Sequence, residues 1–369
     1  MESKNEENIK ILSYNILAQN LLGDSLNLTN EKIDAIPYLG VDYRFNKIVE
    51  KIEELKPDIC LFQEFEQNGK MKNLFNSKNL SYEIIFKKRP GDHQEGCAIA
   101  YDKKKFRLEY YCGLEFRSQN KKNKNIFFSK KKGNPAIYNK ENVAVMVVLE
   151  SYKTKFYYLI ICSHLLFNSN RGDIKLGQIY QIIKSALLIK KYYKDIPITT
   201  ILGADLNSTP NSAIYDYITS KNVNVEFLIQ NTLSGQTNQQ YISKESLKSK
   251  NSIWYKEIIN TSPKFNEHKI ILITKKYDEN DDEYDNEKGL ILENELIMKS
   301  FYKEKNGKEP KITSYGKAFS GTFDFLFYNT SYDLKIENVL EIPEKEGEIP
   351  NENNPSDHFP LFVDFNIHN

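Results

Sequence analysis

Arginine is scarce in this chain: only Arg44, Arg89, Arg107, Arg117 and Arg171 stand among 51 basic residues. Basic and acidic side chains nearly cancel, 51 against 50, so no domain-wide positive field marks a binder of long nucleic-acid duplexes. A small substrate, or a strand held locally, fits that balance better. Because lysine and asparagine are used so heavily, lysine runs read as codon bias rather than as phosphate sites. Cysteine is sparse too. Cys60, Cys97, Cys112 and Cys162 form no C-x-x-C pair and no zinc spacing. Reduced, buried thiols in a cytoplasmic protein are expected, with the nucleus left open. No apolar run approaches the roughly 20 residues of a membrane span, and residues 1–10 are polar, so neither membrane insertion nor secretion is expected.

What is present is ordinary for a folded enzyme: 40% hydrophobic and 27% charged residues. Apolar runs rich in β-branched and aromatic residues recur at 9–17, 58–64, 96–101, 142–150, 156–164, 197–206, 323–329 and 361–365. They read as strands, several buried on both faces. Between them, Phe45, Ile48, Val49, Ile52 and Leu55 form one helical stripe, ended by Pro57, and Ile179, Ile182, Ile183, Ala186 and Leu187 form another. This mixture predicts an α/β fold, a layered sandwich with helices outside two packed sheets. Residues 118–133 and 234–311 read as surface insertions. The second holds an acidic patch from Asp278 to Glu287 that imitates a calcium loop, but Glu283 stands where that turn needs Gly, and Gly289 where a Glu ligand belongs.

Polar groups able to bind metal or move protons sit at the ends of these strands: Asn15, Glu64, His164, Asp205, Asn207, Asp324, Asp357 and His358. Singly, an Asp or Asn at a strand end ordinarily bonds its own backbone, and a His in an apolar strand is ordinarily a core residue. Jointly, convergence would create an oxygen-rich site with two imidazoles beside it, suited to Mg²⁺ and phosphoryl chemistry. His93, His268 and His368 fit no motif and are expected at the surface.

The motifs ILSYNILAQNLL, KPDICLFQEF, EGCAIAYDKKKF, NVAVMVVLE, SHLLFNSNRGDIKLGQ, ILGADLNSTPNSAIYDYI, TFDFLFYN and PSDHFPL occur in one order from residue 9 to residue 366. In that order the chain resembles the endonuclease/exonuclease/phosphatase superfamily, and within it the carbon catabolite repressor, nocturnin and Angel group. HLLFN-x-x-RGDIKL is most similar to the Angel branch. The resemblance implies a single catalytic domain over 1–369, a four-layer, deoxyribonuclease I-like sandwich of two packed mixed sheets flanked by helices.

The same resemblance implies roles. Glu64 would be the main Mg²⁺ ligand, supported by Asn15 and Asp357, with Mn²⁺ able to substitute. Asp205 and Asn207 would orient the attacking water and the phosphate. His358, oriented by Asp324, would act in proton transfer, and His164 would donate to phosphate oxygens. Phe319 matches a base-stacking position, and Asn168 a substrate contact. The usual GDFN reads Ala204, Asp205, Leu206, Asn207 here, and Ser169 replaces a proline that lies against the terminal base in relatives.

Together these imply a Mg²⁺-dependent phosphodiesterase acting on single-stranded RNA 3′ ends. The first reading is a 3′–5′ exoribonuclease of poly(A)-deadenylase type releasing nucleoside 5′-monophosphates. The alternative on the same site is an RNA 2′,3′-cyclic phosphatase or a small-nucleotide phosphatase. An inactive RNA-processing adaptor is a third reading, opposed by the presence of Glu64, Asp205 and His358. No leucine-rich or other partner-binding segment precedes residue 9, so recruitment into a large deadenylase complex is not expected from this sequence, and a protein partner for recruitment is left open and unidentified.

Overall fold

The structure, a computed structural model, describes residues 6–66, 69–116, 140–224, 232–236, 264–265, 291–315, 320–344 and 347–369. Two sheets pack face to face. The first runs in the order β16 (Asp333–Val339), β17 (Leu361–His368), β1 (Glu6–Asn15), β2 (Ile59–Glu66), β4 (Glu95–Asp102), β3 (Tyr82–Lys88). The second runs β10 (Lys264–Phe265), β5 (Phe106–Glu115), β6 (Val143–Ser151), β7 (Tyr157–His164), β8 (Ile198–Asp205), β15 (Asp324–Asn329), β12 (Lys299–Ser300). Two short ribbons, β9 (Asn222–Asn224) with β11 (Ile291–Glu293) and β13 (Ser314–Tyr315) with β14 (Ser320–Gly321), flank them.

Three apolar layers hold four structural layers together. Ile11, Leu61, Ile99, Val145, Ile160, Ile201 and Val363 fill the space between the sheets. Leu12, Cys60 and Phe62 turn the other way, onto Phe45, Ile48, Val49 and Ile52 of α3 (Val41–Leu55). Met146, Leu159, Ile161 and Leu202 meet Leu176, Ile179, Ile182 and Ile183 of α5 (Gly172–Tyr192). Alternate residues of each central strand therefore serve opposite cores, which is why these strands read as unbroken apolar runs. The remaining helices are α1 (Leu22–Leu26), α2 (Asn30–Asp34), α4 (Lys70–Ser77), α6 (Ala213–Thr219) and α7 (Phe301–Asn306).

The expected sandwich and its eight strands are present. α3 ends at Lys56, which turns left-handed (φ 47°) just before Pro57. The segment expected to be an insertion over 234–311 needs correcting from Ile291 onward. There β11, β12 and α7 belong to the fold, with Met298, Phe301 and Tyr302 buried; the apolar residues are spaced too widely among charges to show as a run. Residues 118–133 and the acidic patch at 278–287 lie outside the described residues. All four cysteines are free and buried. Among the described residues, no helix is long and apolar enough to cross a membrane.

Candidate active site

Strand register gathers the polar groups. His164 at the end of β7 pairs in parallel with Asp205 at the end of β8, and Asp324, the first residue of β15, pairs antiparallel with the same Asp205. Three neighbouring strands thus present His164, Asp205 and Asp324 side by side. In the first sheet, parallel pairing of Asn15 with Gln63 brings Asn15 and Glu64 to the same edge. The two rows meet because the sheets approach closely there: a Cβ on Gly203 would lie 2.9 Å from Ser13 Oγ and 3.0 Å from Leu61 Cδ2. Asp205, two residues on, shares that inward face.

Local backbone irregularity aims these side chains. The β2–β4 register slips between Phe62 and Phe65, and Glu64 in that bulge has φ 56°. Asn207 (φ 46°) and Leu17 (φ 52°) are also left-handed. Such conformations cost roughly 1–3 kcal/mol each and cluster where geometry serves function. Glu64 is held by the Ala18 amide at 3.0 Å and by Asn15 Nδ2 at 3.1 Å. Asn15 Nδ2 also donates to Asp205 Oδ2 at 3.1 Å, while its oxygen accepts from the Leu17 amide at 3.1 Å. As placed, Asn15 turns its nitrogen toward the carboxylates, so it bridges two anions where a ligand would present oxygen.

His358 pairs with Ser314 of β13 through a single antiparallel bridge, and its Nδ1 donates to Asp324 Oδ2 at 2.8 Å. Asp324 also accepts from Thr313 Oγ1 at 2.7 Å. The other imidazole nitrogen, Nε2, faces the cleft at 3.5 Å from Asn15 Nδ2 and 3.7 Å from Asp205 Oδ2. Burial opposes protonation of His358, but Asp324 and Asp205 outweigh it and hold the imidazolium well above the ordinary histidine range. Burial pushes the Asp324 carboxyl up, and the adjacent imidazolium pulls it back. Glu64 is likewise pushed up by burial, against the pull of His164. On the far side, Asn207 Nδ2 donates to Leu165 O at 3.1 Å and lies 3.0 Å from His164 Nε2. His164 Nδ1 lies 3.8 Å from Glu64 Oε1.

Asp357 stands at the mouth, 4.0 Å from His358 Nε2, its carboxylate bonded by Ser25 of α1. Asn168 is exposed on the β7–α5 loop, where its side chain accepts from the Asn170 amide, with no contact to the buried groups among its hydrogen bonds. Phe319 lies outside the described residues. His93, expected at the surface, is half-buried against Glu141 at 2.8 Å and Arg89 at 3.2 Å, because Glu95 and Glu141 bring acidic partners to it. Ala204 and Leu206, the two departures from GDFN, are fully buried in the α5 core and leave Asp205 and Asn207 in place.

Two cations beneath the site escaped sequence reasoning. Arg44 is fully buried on α3 and bonds Pro355 O (2.6 Å), Gln19 Oε1 (2.8 Å), Ile16 O (2.7 Å) and Leu17 O, joining the loop after Asn15 to the loop before Asp357. Lys175, fully buried on α5, donates to Asn207 O and to Gln236 Oε1 (2.9 Å). Each lies on the apolar stripe of its helix, four residues before Ile48 and Ile179 respectively, and a charge in that register was the available signal.

The donor set suits a hard cation. Asp205, Asp324 and His358 offer ligand atoms within 4.8 Å of one another. Asp324 is already engaged by His358 and Thr313, however, so Asp205 and Glu64 are the carboxylates better disposed toward the cleft. Buried oxygen donors beside a neutral amide fit Mg²⁺ or Mn²⁺ better than a thiophilic metal.

Residues 12–266 match the endonuclease/exonuclease/phosphatase family. The chain belongs to this family. It is therefore a phosphoesterase of a group whose members typically use a divalent metal ion. It is 29% identical to carbon catabolite repressor protein 4 homolog 3 of Arabidopsis thaliana, over 95% of this chain and 75% of that protein. Identity to protein angel homolog 2 of Homo sapiens is 25%, over 99% of this chain and 70% of that protein. Among solved structures, ANGEL2, a 2′,3′-cyclic phosphatase in complex with adenosine-2′,3′-vanadate, superposes with a TM-score of 0.70 at 23% identity, covering 100% of this chain and 99% of that one. The human nocturnin catalytic domain gives 0.57 at 17% identity, covering 99% and 97%. These likenesses establish the fold as that of the family's phosphoesterases.

Proposed function

We propose that this family phosphoesterase hydrolyses 2′,3′-cyclic phosphates at the 3′ ends of RNA, with Mg²⁺ as its metal. The reading is carried by end-to-end similarity to a protein of that activity, ANGEL2, joined to a site that supplies the groups the reaction needs. The exoribonuclease reading would use the same groups. It draws less support, since the proline expected against a terminal base is Ser169 here.

A cyclic phosphodiester is cleaved when water attacks phosphorus and one ribose oxygen leaves with a proton. His358, held by Asp324, keeps its proton on the cleft-facing Nε2 and delivers it to the leaving oxygen. Asp205 accepts a proton from the water as it adds to phosphorus, and the Asn207 side chain, fixed by Leu165 O, sets the water's line of approach. His164 donates to a phosphate oxygen as charge builds there. A divalent ion held by Glu64 with Asp205 and Asp357 would neutralise phosphate charge.

The test is a Mg²⁺-dependent digestion of three 5′-labelled RNAs: oligo-A with a 3′-hydroxyl, a mixed sequence with a 3′-hydroxyl, and the mixed sequence ending in a 2′,3′-cyclic phosphate. Conversion of the cyclic end alone, at full length, is expected. A ladder of shortened oligo-A with the cyclic end untouched would return the assignment to a deadenylase-type exonuclease.

A further inference from the structure

Among the described residues, Phe167 is the most exposed large apolar side chain, at 79%. It stands three residues after His164 in the loop from β7 to α5, at the catalytic edge. Exposed rings elsewhere, on Tyr111, Tyr152 and Tyr192, carry a hydroxyl that water can solvate, whereas Phe167 has none.

The loop that displays it is fixed on both sides. The Leu165 amide donates to Asp205 O at 2.9 Å, and the Leu166 amide to Gln178 Oε1 at 3.0 Å. Gln178 in turn holds Asn142, which donates to His164 O at 3.1 Å. Beyond the ring, Asn168 accepts from the amides of Asn170 and Arg171, and Ser234 donates to Ser169 O at 2.9 Å. Leu165 is fully buried. An apolar ring held in solvent by a hydrogen-bonded loop gains nothing for stability by its exposure. It is pre-organised as one half of a contact, and the loop that carries it starts from His164 and is tied through Leu165 to Asp205 and Asn207 of the phosphate-cleaving centre.

We propose that Phe167 is a stacking platform for a nucleobase at the RNA end, and so a residue that distinguishes RNA from base-free cyclic phosphates. This rests on the RNA-end reading of the site. Aromatic stacking on bases tolerates sequence, because every base offers a π-face, and a ring carried on a hydrogen-bonded loop requires little ordering of the backbone on binding.

The test combines kinetics with equilibrium binding. Phe167→Ala is expected to raise KM for an RNA ending in a 2′,3′-cyclic phosphate on the order of ten- to a hundred-fold with kcat nearly unchanged. Phe167→Trp should keep the native KM. Both variants should match the native enzyme on ribose 2′,3′-cyclic phosphate, which has no base. Binding of a 5′-fluorescein single-stranded RNA to metal-free protein, read by anisotropy, should weaken in parallel for Phe167→Ala. Unchanged KM and unchanged binding would overturn the platform, and an equal loss on the base-free substrate would assign the ring a structural role instead. If the native protein leaves cyclic ends intact, the function reading fails, and the anisotropy measurement still decides Phe167 alone.

Discussion

His358 Nδ1 donates to Asp324 Oδ2 at 2.8 Å, and that carboxylate is itself oriented by Thr313, whose hydroxyl oxygen accepts from the amides of Phe323 and Asp324. Asp324 Oδ2 is therefore held from two sides, by the imidazole and by the hydroxyl. Its charge, with that of Asp205, keeps His358 protonated in spite of burial. Asp324→Asn should lower the His358 titration midpoint in metal-free protein, because the largest charge raising it is removed, and reduce kcat about 10²- to 10⁴-fold. The sign follows from the raised pKa: stability contributed by the imidazolium is complete below about 6.5 and is lost as pH rises through the folded-state value. NMR titration of the imidazole in both proteins checks this, and an unmoved midpoint would remove Asp324 from its orienting role.

Glu64 carries the opposite balance. Burial raises its pKa, so in metal-free protein its ionised form weighs against folding above the ordinary carboxylate range, and that burden lifts as pH falls through the raised value. Glu64→Gln should abolish hydrolysis while leaving the Tm in chelator equal to or above that of the native protein. It should also remove the rise in Tm that Mg²⁺ gives the native protein. Thermal scans with and without Mg²⁺ decide the point, and a retained Mg²⁺ shift would place the metal on other ligands.

Legibility of the fold followed from burial on two faces. β6 is buried at every residue, so its run could be read directly, whereas β16 and β5 mix exposed, half-buried and charged positions and show no apolar run. The site was legible because Asn15, Glu64, His164, Asp205 and Asp324 interrupt apolar strands at their ends. Its supports were not. Thr313 lies just before a two-residue strand with no periodicity, and Ser25 and Asp357 meet across 332 residues of sequence. No local pattern encodes such a contact.

Arg44 shows what a guanidinium does that lysine cannot. In a chain that uses lysine for most of its cations, four acceptors on two chain segments surround one planar fork. Arg44→Met would leave buried carbonyls of Ile16, Leu17 and Pro355 without this donor, at a cost of about 3 kcal/mol or more. Arg44→Lys should recover only part of that, since one ammonium cannot span the acceptors. Urea denaturation measures both variants. A Lys variant as stable as the native protein would show that charge alone, without the fork, holds the two loops.

Lys175 separates stability from activity. Its ammonium is pushed down to about 7 by burial, with Asp205 pulling the other way. The unfolded chain keeps this proton to about 10.5, so between pH 7 and 10.5 the unfolded state binds more protons and native stability climbs with pH. Below pH 7 the buried charge weighs against folding. Lys175→Met removes that charge and should flatten the climb, leaving the variant at least as stable as the native protein at pH 6. The same change strips the donor from Asn207 O and frees a residue held at φ 46°, so kcat should fall, about tenfold or more, with the Tm preserved. Urea midpoints at pH 6, 7, 8 and 9, set beside kcat at each pH, test both halves. Identical slopes for the two proteins would mean that the buried lysine titrates as an exposed one does, and unchanged kcat would mean that Asn207 keeps its place without it.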